Sequence, residues 1–414
     1  MKQKKVEPKI LIIGASGFVG SNLLKKFESL GIPVRVMSRT PSKISTTCDH
    51  TFITEGDLDH VDTLKDSLIG IETVYYLSHA MGYAADDFEL KEKQQALNLT
   101  SIASKNIQVI YLSGIIPSTE LSIHLRSREK VGEVLRAHFN SVIEFRASII
   151  IGVGSTSFEM VRALVQRLPF ILSAKWSNSY CQPIDIKSVV EYLFKSTQKD
   201  FKESLVFNIG GKDIFKYKDL LVEYAKFMNL KRPEIKVDQF PRSLAGQLLG
   251  VIVPEYSEVG ERLIESIEHE TILTDSHAKK EFKIKPLTIE EMFQQSKDES
   301  LGDMNYDHFF NFLKTNKDLP RFLKGQTASY FIDVPAKLDF EGLMQKLNRI
   351  PFINIEEDQV LGFVLSIPLA GELSLKLNPS KDKIIVLIQA KYFFQKTGLT
   401  FLDLISKKIS SFKG

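Results

Sequence analysis

A parallel α/β sheet with helices on both faces is expected for residues 9–146, on three observations. Short runs rich in Val, Ile and Tyr alternate with segments of helical period, which is how repeated βαβ units read in sequence. The runs Lys9–Ile13, Pro33–Ser38, Thr51–Glu55, Thr73–Leu77, Gln108–Leu112 and Val142–Phe145 each have the length of a strand. A glycine-rich turn, Gly14-Ala15-Ser16-Gly17-Phe18-Val19-Gly20, joins the first run to the first helix.

The helices follow the same logic. Ser16–Leu30 stops at Gly31, a natural C-terminal cap, and Asp86–Ser104 is a longer amphipathic stretch. After Ile150 the pattern mixes: helices at Phe158–Leu168, Lys187–Ser196 and Lys218–Asn229 surround a strand at Leu205–Ile209, the layout of a substrate-side lobe. Beyond about Ser300 a polar connector leads to a strand near Ser329, a helix at Asp339–Leu347, strands at Gln359–Ile367, Gly371–Leu377 and Lys383–Tyr392, and a closing helix from Thr400. A boundary near Gly325 divides residues 1–325 from a C-terminal α+β module, 326–414. The order of elements in that module resembles a shortened helix-grip fold, whose apolar residues either hold an apolar ligand or form a core alone.

Length and composition agree. The 414 residues exceed the ~250 to 300 at which one hydrophobic core stops growing, so at least two folding units are expected. The 43% hydrophobic and 25% charged composition is that of an ordinary globular protein. The net charge of +3, with Lys and Arg dispersed among Asp and Glu, gives no footprint for nucleic acid. Cys48 and Cys181, far apart, form no disulfide framework, and a reducing cytoplasm is expected. The eight histidines show no metal-ligand spacing, so no metal site is expected. The longest later apolar run, Leu244–Val253, includes Gln247 and falls short of the ~20 residues of a membrane span.

The glycine turn carries the functional signal. Gly14, Gly17 and Gly20 sit where a strand must turn tightly into a helix, let phosphate approach the backbone and allow close helix packing. In this strand-turn-helix context the segment Gly14, Ala15, Ser16, Gly17, Phe18 and Val19 reads as the pyrophosphate cradle of a Rossmann domain. The second strand ends in Val36-Met37-Ser38-Arg39, with no acid to take a ribose 2′-hydroxyl. Arg39 is either a fork for a 2′-phosphate or a solvated surface residue; the first reading prefers NADP(H), with NAD(H) second. Asp57 and Leu58 after the third strand, and Ser78 and His79 after the fourth, lie where a dinucleotide would pass. Asp57 reads equally as an adenine contact or as a helix cap, and His79 as a loop residue without a role.

Taken together, these residues resemble the atypical short-chain dehydrogenase/reductases, in particular NmrA-like NAD(P)-binding proteins, from about Lys9 to Phe293. The segments Tyr75–Gly82, His124–Arg128, Arg146–Gly152 and Gln182–Ile184 look like a bacterial subgroup of oxidoreductases that often has an extra C-terminal domain. The resemblance implies a catalytic Tyr-x-x-x-Lys pair, and here His124 and Arg128 stand in those two places. Ser113 matches the superfamily's catalytic Ser or Thr, and Arg146 falls beside the cofactor. A histidine can serve as general acid near neutral pH, but arginine cannot relay a proton. Ser113 also reads as a strand-end turn and His124 as a helix-start residue. Arg126, Arg128 and Arg146 suggest a basic lining for an anionic substrate, or a solvated face; Glu159, Arg162, Trp176 and Gln182 fall where a lobe would line the cleft, or pack. Two functions follow: an NADP-dependent oxidoreductase acting on an unidentified small molecule, or a nucleotide-binding sensor without turnover.

Overall fold

A computed structural model describes residues 7–79, 88–117, 121–168, 170–199, 201–237, 242–252 and 264–297, together with five strands between Ala328 and Ala390. The chain divides into two compact units: Met1–Met160, Ser179–Tyr217 and Arg262–Glu299 form one, and Val161–Asn178, Lys218–Glu261 and Ser300–Gly414 the other. The boundary expected near Gly325 and the helices expected at Asp339–Leu347 and from Thr400 lie outside the described residues.

The first unit is built on strands β1 (Ile10–Ile13), β2 (Val34–Ser38), β3 (Thr51–Glu55), β4 (Thr73–Tyr76), β5 (Gln108–Gly114) and β6 (Val142–Ala147), with Leu205–Ile209 as the seventh. Their order across the sheet is Leu205–Ile209, β6, β5, β4, β1, β2, β3, and every neighbouring pair is parallel. This is the expected doubly wound Rossmann sheet. Connections run one way from β1 and the other way from β4, so the crevice for a ligand opens beyond the carboxyl ends of these two strands.

Burial on both faces explains why the strands are apolar without alternation. Leu11, Ile12 and Ile13 are all at most 2% exposed. Ile12, Tyr75, Ile110, Ile143 and Phe145 join one apolar cluster, shared with helix α1 (Phe18–Ser29) and helix Ile186–Ser196. Leu11, Ile13, Val74, Tyr76, Val109 and Tyr111 join the other. That second face is covered by α3 (Phe88–Ile102), through Ala96 and Leu99, and α4 (Ile123–His138), through Val131 and Leu135, while the short helix α2 (Lys65–Leu68) precedes β4. Each such side chain contributes roughly 1.5–3 kcal/mol by leaving water. Tyr75, fully buried, satisfies its hydroxyl by donating to the Leu193 carbonyl at 2.9 Å.

Helix α1 buries Gly20, Leu23, Leu24 and Phe27, a stripe at helical spacing. It ends as anticipated at Gly31, whose φ is +65° and whose N–H donates to the Glu28 carbonyl at 3.0 Å.

In the second unit, Ile171–Ala174 pairs in parallel with Glu234–Val237, and Arg232 Nε donates to the Val165 carbonyl at 2.8 Å. Its C-terminal strands form an antiparallel sheet in the order Ala328–Pro335, Lys383–Ala390, Gly371–Asn378, Gly362–Ile367, Asn354–Asp358. The strands at Ile171, Glu234 and Asn354 add to those expected from sequence. Asn354–Asp358 ends in three successive acids, which hide its strand character. Among the described residues, no helix is long and apolar enough to cross a membrane.

Candidate functional site

At the carboxyl end of β1 the chain turns through Gly14, whose φ of +92° is costly for any residue with a Cβ. A Cβ there would also lie 2.7 Å from the Leu77 carbonyl carbon and 2.9 Å from Ser78 N, so the turn is pressed against the chain leaving β4. Gly17 N–H donates to the Gly14 carbonyl at 3.0 Å and Gly17 caps α1, with no acidic residue in the helix's first turn. A Cβ on Gly20 would strike the Gly14 carbonyl oxygen, and this keeps α1 close to β1. Ala15 is buried, Ser16 and Gly17 are exposed, and Val19 packs on the core. Phe18 reaches the loop after β6, where a Cβ on Gly152 would lie 2.8 Å from its Cζ. The result is an exposed, positively polarised helix start beside a cradle that only glycine permits, which suits a pyrophosphate.

The other sequence-predicted cofactor residues are placed as follows. Arg39 is exposed just past β2, and Ser38 Oγ accepts the Thr40 N–H at 3.1 Å beneath it. Asp57 Oδ1 accepts the Asp59 N–H at 3.0 Å, a contact within the turn, while the short helix that follows starts at His60 without a side-chain cap, so the helix-cap reading of Asp57 does not hold. Leu58 is 4% exposed and belongs to the core beneath the sheet. Asp59 is a further acid here: burial raises its pKa, but hydrogen bonds from Gln95 and Lys91 and the charges of Lys91 and Arg39 hold it below the ordinary carboxylate value. Arg146 Nε is bound to Glu144 Oε1 at 2.7 Å.

A second cluster lies where β4 and β5 end against α3 and α4. Ser78 and His79 are half-buried, and His79 Nδ1 is 2.5 Å from Glu92 Oε1. Glu92, on α3 and 3% exposed, takes a second hydrogen bond at Oε2 from Ser127 Oγ, also 2.5 Å. Burial pushes the Glu92 carboxyl up, but the His79 hydrogen bond, the charges of Arg128 and His79, and the Ser127 hydroxyl outweigh it and hold Glu92 well below the usual range. His124, in the first turn of α4, has its ring centroid 4.8 Å from that of His79, and Phe88 packs on both rings at 5.6 and 6.2 Å. Ser122 caps α4 by accepting the Leu125 N–H at 3.2 Å. A Cβ on Gly114 would lie 2.8 Å from Leu125 Cδ2, so the end of β5 sits against this first turn.

The structure therefore brings His79 and His124 together and adds Glu92, which sequence reasoning missed. Ser113 is 6% exposed, and among the described residues its Oγ makes no hydrogen bond of normal geometry. Arg128 Nη1 points at the Leu112 carbonyl, 3.4 Å away, and the Arg128 carbonyl accepts from Tyr111 Oη at 3.0 Å. Arg126 faces Glu89 at 3.0 Å. Each arginine of the expected basic lining thus has a carboxylate nearby. Glu159 Oε1 accepts the Gly154 N–H at 2.9 Å, while Arg162 is buried and Trp176 half-buried. Gln182 is committed to the backbone at both ends, Nε2 to the Gly211 carbonyl at 2.8 Å and Oε1 from the Leu273 N–H at 3.0 Å. No group of three or more His, Cys, Asp or Glu able to hold a metal occurs among the described residues.

The fold recurs in solved structures. The chain is similar to a dTDP-glucose 4,6-dehydratase from Bacillus anthracis str. Ames in complex with NAD, at 13% identity and TM-score 0.54 over 70% of this chain and 95% of that one. It is similar to a nucleoside-diphosphate-sugar epimerase from Staphylococcus aureus, at 11% identity and TM-score 0.56 over 69% and 99%. A third likeness is to the Citrobacter sp. triphenylmethane reductase complexed with NADP(H), at 13% identity and TM-score 0.57 over 70% and 100%. No curated protein matches in sequence. Residues 10–113, from β1 with its glycine turn to β5, match the model of the NAD dependent epimerase/dehydratase family.

Proposed function

We propose that the chain is an NADP(H)-preferring oxidoreductase of the atypical short-chain dehydrogenase/reductase type, close to the NmrA-like proteins and working in the cytoplasm on a small molecule. The observation that carries this reading is the Gly14 turn, strained for any other residue and pressed against Leu77 and Ser78 at the switch point of the sheet. The N–H groups of residues 15 and 16 and the start of α1 hold the pyrophosphate, and Arg39 takes the 2′-phosphate beyond β2. When bound, the nicotinamide supplies or accepts the hydride. His124 gives or takes the proton at the substrate oxygen, Ser113 hydrogen-bonds that oxygen, and Arg128 and Arg146 hold the charge around it. Residues 326–414 form a separate module attached to this enzyme.

The non-catalytic sensor reading is favoured by one observation: Arg128 Nη1 points at the Leu112 carbonyl and lies within the charge field of Glu92, which fits a packed structural cation. Titration of the purified protein with NADPH and NADH, followed by nucleotide fluorescence, tests the common ground of the two readings. Saturable NADPH binding that weakens in Arg39→Ala and Gly17→Val supports it; absence of binding to either nucleotide refutes it. NADPH oxidation across a panel of carbonyl substrates, lost in His124→Phe, then separates enzyme from sensor.

A further inference from the structure

We infer that Glu92 is a positioning residue: its buried carboxylate fixes the His79 imidazole against His124, making the two histidines a proton-transfer pair that ends at the substrate oxygen. For its substrate end the inference rests on the dinucleotide reading above. The parts come from three separate places in the chain. His79 leaves β4 one residue beyond Ser78, whose backbone the glycine turn touches. Glu92 comes from α3 and His124 from the first turn of α4.

The geometry sets the chemistry. With Nδ1 2.5 Å from a carboxylate oxygen, His79 carries its proton on Nδ1, and Nε2 is the atom at which a proton is exchanged. The other oxygen of Glu92 accepts from Ser127 Oγ at 2.5 Å, which leaves Oε1 to His79. The His79 ring meets His124 at 4.8 Å between centroids, and Phe88 holds both rings in place. Among the described residues, Tyr76 in β4, Tyr111 in β5 and Arg128 in α4 also face Glu92. Arg128 offsets the carboxylate's charge, and both tyrosines are kept neutral by burial. In a reduction, the new C–H bond takes the hydride and both its electrons from the reduced cofactor. The C=O π pair becomes an oxygen lone pair, and the new O–H bond takes its proton from a His124 ring nitrogen. His124 recovers that proton from His79 in its imidazolium form, which gives up the Nε2 proton and keeps the Nδ1 proton toward Glu92, and a proton from water restores the imidazolium as the hydroxide passes to the solvent buffer. An oxidation runs the same steps backward.

A carboxylate that merely pins α3 to α4 would leave the histidines unaffected, so their own spectra decide. Full-length protein labelled with ¹⁵N-histidine is examined by two-bond ¹H–¹⁵N NMR across pH, as wild type, Glu92→Gln and Ser127→Ala, with His79→Gln and His124→Phe to assign the signals. The expected result is an Nδ1-protonated His79 in wild type and Ser127→Ala that holds its charge to higher pH than in Glu92→Gln, since the adjacent carboxylate favours imidazolium. Turnover in Glu92→Gln falls at least about tenfold while NADPH affinity stays within about twofold. If Glu92→Gln does not fold, His79→Gln, which keeps the Glu92–Ser127 bond, must show the same loss of kcat and a displaced His124 titration. The inference is overturned if His79 has the same tautomer and titration with and without the carboxylate, or if Ser127→Ala changes them as much as Glu92→Gln. Should wild type bind neither nucleotide, the dinucleotide reading falls, while the imidazole spectra still decide the pairing.

Discussion

Arg146 and Glu144 meet on one face of β6, Arg146 Nε donating to Glu144 Oε1 at 2.7 Å, and the Glu144 side chain is wholly buried. Its other oxygen is bound by Arg136 of α4. The helix approaches this closely because residue 132 is glycine; a Cβ there would lie 2.8 Å from Glu144 Oε2. A buried carboxylate held by two guanidiniums cannot lose its charge cheaply, because both cations are then left in a poorly solvated place. Glu144→Ala is therefore expected to destabilise the protein by about 3 kcal/mol. Thermal unfolding checks this, and a melting temperature equal to that of wild type would refute it.

The glycine turn separates backbone strain from crowding. Gly14 and Gly31 both have positive φ, but a Cβ on Gly31 meets nothing within 4 Å, whereas one on Gly14 strikes the Leu77 backbone. Gly31→Ala is expected to cost about 1 kcal/mol in stability with unchanged nucleotide affinity. Gly14→Ala must shift the β4 exit as well and is expected to weaken NADPH binding at least about tenfold. Equal affinities in the two variants would remove the turn from the binding site.

How much of this was legible follows from the range over which each signal acts. The glycine turn is local: seven consecutive residues contain the need for a tight turn and a close helix. The sheet was legible because strands buried on both faces are apolar throughout, as Leu11, Ile12 and Ile13 are. Glu92 was not legible. It lies in Phe88-Glu89-Leu90-Lys91-Glu92-Lys93, and the stretch expected to be amphipathic has almost no apolar stripe as a helix, so nothing in it shows which acid turns inward. Among the described residues, His79 at the β4 exit and Ser127 of α4 are brought against it by the fold. The same holds for Arg126, which seemed to be part of a basic lining until the fold set it against Glu89, 37 positions away in the chain.

Arg39 is exposed at the end of β2, with Asp59 close enough for its charge to be felt. A charge-assisted contact to a 2′-phosphate is worth ~1.5–3 kcal/mol, so Arg39→Ala is expected to weaken NADPH binding about 10- to 100-fold. NADH, which has no 2′-phosphate, should bind the variant as it binds wild type. Parallel fluorescence titrations measure both. A matching loss for the two nucleotides would mean that Arg39 shapes the loop and does not read the phosphate.

Glu92 makes stability depend on pH with a definite sign. Its carboxyl is held well below its ordinary value in the folded protein, by His79, Arg128 and Ser127 acting against burial. The unfolded chain therefore binds more protons than the native one wherever an ordinary carboxylate titrates, and stability rises with pH through that range. The contribution is complete above about pH 5 and is lost progressively as pH falls through the ordinary carboxylate value of about 4.3 and below. Glu92→Gln removes the titrating group, so the variant should be less stable than wild type at neutral pH and the two melting curves should converge on acidification. A constant gap in melting temperature between them from neutral to acidic pH would show that the folded protein does not hold the Glu92 charge as its contacts with His79 and Arg128 require.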